Sequence, residues 1–350
     1  MGREENASGN YRFKGNKMKT IALIYGARSS EHEVSIKSAQ NLYFQLQKLD
    51  YNIFLIKITK QGNYLLTENV TFENTGEALE IKMGRGFFNN GQKLPIDLCF
   101  IIAHGSEGED GKLQGLLDML DLPYTSPSLL ASALCMSKTL TKDLVNKYIK
   151  TVPGLETLNC PNLEEIKHLG NKIFVKPEAG GSSFGISLLS ELNSSNIEKA
   201  FYKAKKYSEK VLFETYIENK MEIDCGVYKD HDKIIPTLPG TITNSQGPLT
   251  YCKKYSSLSK AIFLCPPPIS QEQIYNIQNL SKIIFEALNL NGFARLDYFL
   301  DLDSNNLYLN EINTIPGMTE NSHFPIMLEK SGISITSFLK ALVETNIRKD

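Results

Sequence analysis

The sequence predicts an α/β protein, with α+β character in its later part, built as three αβ units of which the first carries a parallel sheet. The chain has 350 residues, and at roughly 100–200 residues per domain that is room for two or three cores. Up to about residue 120, apolar strand-like runs alternate with helical patterns, the signature of a parallel sheet. Beyond the Pro153-Gly154 turn the pattern changes to paired strands joined by polar tips. Apolar residues make up 41% and charged residues 22%, which excludes disordered and fibrous chains. Lys plus Arg number 38 against 39 Asp plus Glu, so no global field recruits nucleic acid or an anionic membrane, and neither is expected as a partner.

Residues 1–18 lack the apolar centre of a secretory signal and carry Asn6 where a myristoylation signal needs Ser or Thr, so they read as a disordered leader. The first strand is expected from Lys19 to Tyr25, ending at Gly26, and a helix from about Val34 to Leu49. Strands follow at Tyr51 to Ile58 and Leu98 to Ala103, the latter far shorter than the roughly 20 residues that cross a bilayer. Leu113, Leu116, Leu117 and Leu120 fall at i, i+3, i+4 and i+7, one buried helix face stopped by Pro123. A helix is expected from Lys138 to Tyr148, then a hairpin of Lys172–Lys176 and Ile186–Leu189 around the tip Glu178–Gly185. The next helix shows a Ser195-x-x-Glu198 capping box and a stripe of Ile197, Ala200, Phe201 and Ala204. Strands at Val211–Ile217 and Glu222–Tyr228, a helix at Ile274–Leu288 entered at Ser270, and a final hairpin of Phe293–Leu300 and Leu307–Ile312 complete the pattern. Unit boundaries fall near residues 126 and 218, giving 19–126, 127–218 and 219–350. Six cysteines lie scattered without a CxxC pair, which fits small buried hydrophobes in a reducing cytoplasm.

The last hairpin carries the strongest chemistry. Alternation along a strand aims Arg295 and Asp297 one way and puts Glu311 and Asn313 on one face of the partner. Two carboxylates and an amide oxygen form a hard set suited to Mg²⁺; the plainer reading is a solvated face balanced by a salt bridge. Leu307 and Leu309 precede Glu311 at the same spacing, so the acid is expected to extend an apolar row. In the run Lys176 to Gly185, a lysine followed by glycines and serines lets N–H groups approach an anion. It is a phosphate cover or a hairpin tip, and not a Walker A loop, since the lysine precedes the glycines. Lys138, at a helix start, is a second phosphate candidate or a surface lysine. Glu31, His32, Glu33 and Ser35 cluster at a helix start, as acids favoured by the dipole or as a receptor for an ammonium group. One glycine follows the first strand, so the dinucleotide fingerprint is absent. His104 sits at the carboxyl end of a strand, where ligands bind in open αβ sheets.

Together the segments EHEVS (31–35), HGSEGEDGKLQG (104–115), MSK (136–138), VKPEAGGSSFG (175–185), KKY (253–255), ARLDYF (294–299) and NEINTIPGMT (310–319) resemble the D-alanine–D-alanine ligases of the ATP-grasp superfamily. The match runs in order over about residues 19–345. EHEVS together with HG-x-x-GEDG-x-LQG separates this family from other ATP-grasp enzymes. The resemblance implies a three-domain ATP-grasp architecture with ATP between the second and third domains. It implies that Lys138 and Lys176 bind ATP phosphates, that Glu214 and the backbone at Ile217 read adenine, and that Glu222 takes the ribose. Lys254 would reach the γ-phosphate, and Asp297, Glu311 and Asn313 would hold two Mg²⁺, which Mn²⁺ can replace. Glu31 would receive the ammonium of the first D-alanine and form a lid triad with Ser182 and Tyr255. Val34, Ser35 and His104 would line the substrate site. Ser322, beside His323, would bind the second carboxylate, and Arg295 with the Gly317 N–H would stabilise the oxyanion. The product implied is the peptidoglycan-precursor dipeptide, made in a bacterial cytoplasm by an enzyme that is commonly a homodimer. Three positions depart from the family pattern: Ala27 after Gly26, Thr250 before Tyr251, and His323 where an apolar residue is usual. Tyr255 favours an amide over an ester product. Another ATP-grasp ligase with a different acceptor, and a nucleotide-binding protein without catalysis, are the rival readings.

Overall fold

The structure, a computed structural model, describes residues 18–181, 184–243 and 262–348. All but the last residue of the leader expected at 1–18, together with Ser182, Thr250, Tyr251, Cys252, Lys254 and Tyr255, therefore lies outside the described residues. Among those described, no helix is long and apolar enough to cross a membrane.

Three sheets carry the chain. The first has the order β4 (Glu77–Ala78), β3 (Tyr64–Thr67), β2 (Asn52–Ile58), β1 (Thr20–Gly26) and β8 (Leu98–Ile102), with β1 parallel to both neighbours. Every position of β1 is buried, because a central parallel strand is covered on both faces and reads as one apolar run. Helix α1 (His32–Leu46) packs on it through Ile36, Ala39 and Leu42. A small antiparallel sheet of β5 (Glu80–Lys82), β6 (Gly86–Asn89) and β7 (Gln92–Lys93) lies beside it. The chain leaves β1 through Gly26 at φ +98°, where a Cβ would come within 2.2 Å of the Ile58 carbonyl. Ala27 follows at φ +86°, a region costly for a residue with a Cβ.

Helices α2 (Lys112–Met119), α3 (Leu129–Met136) and α4 (Lys138–Val145) lead through β9 (Lys150–Thr151) into the second sheet. That sheet is antiparallel, in the order β10 (Gly154–Thr157), β13 (Val211–Thr215), β11 (Ile173–Pro177) and β12 (Ser187–Leu189), with the short helix α5 (Leu163–Ile166) between β10 and β11 in sequence. Helix α6 (Ser194–Lys205) buries the expected stripe of Ile197, Ala200, Phe201 and Ala204, but its cap is Asn193, whose side chain accepts from Asn196 N–H. Asn at the cap does the work that the Ser195-x-x-Glu198 pattern suggested one turn later.

The third sheet runs β17 (Ile262–Leu264), β16 (Gly240–Thr243), β14 (Lys220–Asp230), β18 (Phe293–Asp301), β19 (Leu307–Asn313) and β9, with β15 (Lys233–Pro236) beside β14. Helix α7 (Gln271–Ala287) covers it, entered by a Ser270–Gln273 capping box. Helices α8 (His323–Lys330) and α9 (Ile335–Asn346) close the chain.

Packing departs from the sequence division in two places. Ala131, Cys135, Val145 and Ile149 join the core of the third sheet, and β9 pairs with β19, although they precede the second sheet. Phe338, Leu339 and Leu342 of α9 are fully buried in the core of the first sheet. At roughly 1.5–3 kcal/mol for each such side chain, the last helix fixes the first unit against the third and sets the width of the space between them.

Candidate active site

Strands of the second and third sheets face each other across a cleft with about 1360 Å³ of open space, reached at one end by the loops around Glu31 and Gly105. Glu31, Lys138, Lys176, Glu214, Ile217, Glu222 and Glu311 all line it. Residues separated by up to 280 positions in sequence thus meet in one hollow.

The lysines come from two elements. Lys176 stands on β11, and Lys138 opens α4, whose N-cap Ser137 accepts from Leu140 N–H. Glu178, buried just beyond β11, accepts from the Ser137 hydroxyl and from Thr139 N–H at 3.2 Å, which locks the start of α4 against the hairpin tip. Lys138 Nζ donates to the Gly180 carbonyl at 2.6 Å and lies 4.0 Å from Glu311. Lys176 Nζ bridges Glu214 Oε2 at 2.7 Å and Asn310 Oδ1 at 3.1 Å. Glu214 Oε1 meets a third lysine, Lys142, one turn along α4. Burial lowers the Lys176 ammonium well below its ordinary value, with the charges of Lys142 and Lys138 adding to it. Burial, with Lys138 beside it, brings Lys142 down to about 7. Cations crowded like this are stabilised by an incoming polyanion. Toward the cleft mouth Phe174, Tyr216 and Phe299 surround the Lys220 ammonium, 4.3 Å from the Tyr216 ring centre.

The acid hairpin is β18 with β19. Asp297 stands opposite Glu311 and Arg295 opposite Asn313. Arg295 donates to both Asp297 oxygens, at 2.7 and 2.8 Å, and Asn313 Nδ2 to Asp297 Oδ2 at 2.9 Å. The expectation that Glu311 extends the row of Leu307 and Leu309 is corrected. The register slips between Asp297 and Tyr298, Leu309 and Ile312 turn into the core, and the extra residue Asn310 joins Glu311 in the cleft. A β-bulge re-aims side chains in this way next to functional sites. Burial pushes the Asp297 carboxyl up to about 7, Arg295 opposing and Asp224 and Glu311 reinforcing it. Asp297, Glu311 and Asn313 carry two carboxylates and an amide at paired positions of the hairpin, residue types that suit a hard divalent cation, with the Asn313 amide nitrogen turned to Asp297.

The first unit contributes Glu31 directly. It is the N-cap of α1, yet its side chain caps no N–H. The carboxylate instead lies against the two loops, and a Cβ on Gly105 would stand 3.2 Å from Glu31 Oε1. Glu31 thus stands at the helix start, where the dipole favours an acid, without capping an N–H. Ser35 and His104 do not line the cleft. Ser35 is fully buried, its hydroxyl donating to the Ile102 carbonyl and accepting from Gly26 N–H at 2.8 Å, a tie between β1 and β8. His104 is buried too, with Nδ1 at 2.8 Å from the Ile315 carbonyl and Nε2 at 2.8 Å from Ser38 Oγ. Ser38 in turn accepts from Met318 N–H at 3.2 Å. That hydrogen-bond pattern assigns the proton to Nδ1, and burial lowers the ring below its ordinary value. His104 therefore joins the first unit to the 315–318 segment. Val34 is half-buried on α1 and is not among the cleft residues.

The 314–323 segment holds the remaining candidates. A Cβ on Gly317 would stand 3.0 Å from Ser322 Oγ, a tight contact to which the serine hydroxyl would have to yield. Ser322 is the N-cap of α8 but caps no N–H. Its hydroxyl meets Thr319 at 2.7 Å, and the helix N-terminus is left uncapped by it. His323 pairs with Asp224 at 2.6 Å and stacks on Phe263 at 4.2 Å. Sequence reasoning missed Ser38, Lys142, Glu178, Asp224 and Asn310. Each contacts a partner distant in sequence, and only the spacing of Lys142 four residues after Lys138 on one helix offered a signal.

Residues 20–127 match the family described as D-ala D-ala ligase N-terminus, and residues 151–344 match D-ala D-ala ligase C-terminus. The chain is 37% identical to D-alanine--D-alanine ligase of Thermoanaerobacter sp. (strain X514), over 93% of this chain and 95% of the relative. It is 32% identical to the protein of that name from Oceanobacillus iheyensis, over 95% of this chain and 96% of the relative. Among solved structures it is similar to the VanG D-Ala:D-Ser ligase from Enterococcus faecalis, with a TM-score of 0.83 and 28% identity over 94% of this chain and 99% of that one. D-alanyl-alanine synthetase A from Vibrio cholerae also gives a TM-score of 0.83, at 27% identity over 95% of this chain and 99% of that one.

Proposed function

The chain belongs to the D-alanine–D-alanine ligase family, and from that premise we propose how its cleft divides the work. The protein is an ATP-dependent ligase of the ATP-grasp fold. It joins two D-alanine molecules into the peptidoglycan precursor D-alanyl-D-alanine through an acyl phosphate.

Lys138 and Lys176 hold the ATP phosphates, Glu214 and the Ile217 backbone take the adenine, and Glu222 takes the ribose. Lys176 exchanges its contact with Glu214 for phosphate as the nucleotide enters, which its crowded, burial-weakened charge favours. Glu31 receives the ammonium of the first D-alanine and holds that carboxylate toward the γ-phosphate. Asp297, Glu311 and Asn313 would hold Mg²⁺ through their side-chain oxygens. Bound there, the ions offset the negative charge of phosphates and carboxylate. Arg295 and the Gly317 N–H bind the oxyanion formed when the second amine attacks. Ser322 and the uncapped start of α8 bind the second carboxylate, since helix N–H groups favour anions. Ser182, Lys254 and Tyr255 complete the lid and γ-phosphate contacts. Val34, Ser35 and His104 shape the wall behind the first D-alanine without touching it. A homodimer through the first unit, in the cytoplasm, completes the reading.

The observation that carries it is the single cleft in which Glu31 faces Lys138, Lys176, Glu214 and Glu311. The test is phosphate release from ATP and Mg²⁺ with D-alanine, D-serine or D-lactate as acceptor. Release with D-alanine and recovery of the dipeptide is expected; release only with another acceptor would overturn it.

A further inference from the structure

Glu214 sits between two lysines that differ in one respect. Lys176 lines the cleft, has a second partner in Asn310, and can move to a phosphate. Lys142 is buried, comes from the α4 side, and is not among the cleft residues, so it reaches a nucleotide only through Glu214.

We propose that Lys142 is a positioning residue for base selection, holding Glu214 ionised and aimed so that the cleft accepts a 6-amino purine and refuses a 6-oxo purine. This rests on the reading that Glu214 takes the adenine. Once Lys176 has turned to phosphate, Glu214 Oε2 faces the cleft with no lysine on it. A carboxylate 2% exposed and alone would take up a proton, because burial penalises the charged form. A protonated carboxyl donates as well as accepts, and would serve the 6-oxo group of hypoxanthine as readily as the 6-amino group of adenine. Lys142 on Oε1 prevents that, because an opposite charge in contact favours the ionised carboxylate. Oε2 is then an acceptor only. It bonds an amino group and repels the lone pairs of a carbonyl, the arrangement in which a hydrogen-bonding site discriminates strongly.

The test compares kcat/KM for ATP and inosine triphosphate, by D-alanine-dependent phosphate release, in the wild type, Glu214→Gln, Lys142→Met and Lys142→Gln. Circular dichroism checks that each is folded, and the glutamine variant fills the lysine's space if the methionine variant does not fold. A preference for ATP in the wild type is expected to fall by about tenfold or more in Glu214→Gln and in either Lys142 variant. A general loss of packing would lower both nucleotides together and leave the ratio alone. A folded Lys142 variant that keeps the wild-type ratio, while Glu214→Gln loses it, overturns the inference. A Glu214→Gln enzyme that keeps the ratio shows instead that the reading of Glu214 has failed.

Discussion

Lysines are buried in two parts of this molecule, and they are buried differently. In the first unit Lys57, fully buried on β2, donates to the carbonyls of Thr71, Phe72 and Glu73 at 3.1, 2.9 and 2.7 Å. All three of its hydrogens are taken by backbone, and the ammonium pins one loop. At the cleft Lys138 and Lys176, with Lys142 behind them, share Glu214, Glu311, Asn310 and one carbonyl among them. Lys138 and Lys176 also border open space. Burying a charge is therefore not by itself the mark of a site. What marks the cleft is cations whose partners are few, shared and exchangeable for a ligand's oxygens.

Four changes break or sharpen that contrast. Glu311→Gln removes one of the proposed metal carboxylates and is expected to lower D-alanine-dependent phosphate release by about 10³-fold, with the far-ultraviolet circular dichroism unchanged. Near-normal turnover would remove the acid hairpin from the chemistry. Lys176→Met should lower kcat/KM for ATP by about 10²-fold, because its charge has no substitute once phosphates arrive, while urea stability stays close to wild type. Lys57→Met should do the reverse. The 71–73 loop loses three hydrogen bonds from a charged donor, each worth about 1.5–3 kcal/mol, so the urea midpoint falls while kcat/KM for ATP in the folded enzyme holds. Equal effects of the two lysines on activity would erase the distinction drawn here.

The smallest effect is a pH dependence at the seam between the first unit and the 315–318 segment. Burial lowers the His104 ring below its ordinary 6.5, so the unfolded chain binds the proton more readily than the native one. The stability this ring contributes is complete above pH 6.5 and is lost as pH falls from there toward the lowered native value. Glu109 nearby is raised by burial and by Glu31, and its contribution runs the other way, complete below its ordinary 4.5 and lost as pH rises. Comparing wild type with His104→Gln isolates the histidine: the variant should lose less urea stability between pH 7 and pH 5, and parallel losses would contradict the assignment.

Much of this was legible in the chain. The β1–α1–β2 opening, the Leu113 face, the α6 stripe and the final hairpin follow from periodicity, because each is a local repeat of burial. The cleft residues followed from motif resemblance, since their chemistry fixes residue type at fixed spacing. Two kinds of feature were not legible. The bulge at Asn310 is a choice of register, made by the pairing of β19 with β18 and invisible in either strand alone. The paired roles of Ser38 with His104, Lys142 with Glu214, and Asp224 with His323 depend on contacts across 66, 72 and 99 positions. Ser35 and His104 were read as substrate contacts from the family resemblance, and His104 also from its place at a strand's carboxyl end; both are buried against the first sheet, a contact pattern that a motif does not display.

The account stands or falls on where the nucleotide and its cations sit. Crystals grown with a non-hydrolysable ATP analogue and Mn²⁺, measured at the manganese absorption edge, locate both. Anomalous peaks beside Asp297, Glu311 and Asn313, with the triphosphate between Lys138 and Lys176, are the predicted result; manganese or nucleotide bound away from those side chains would contradict it.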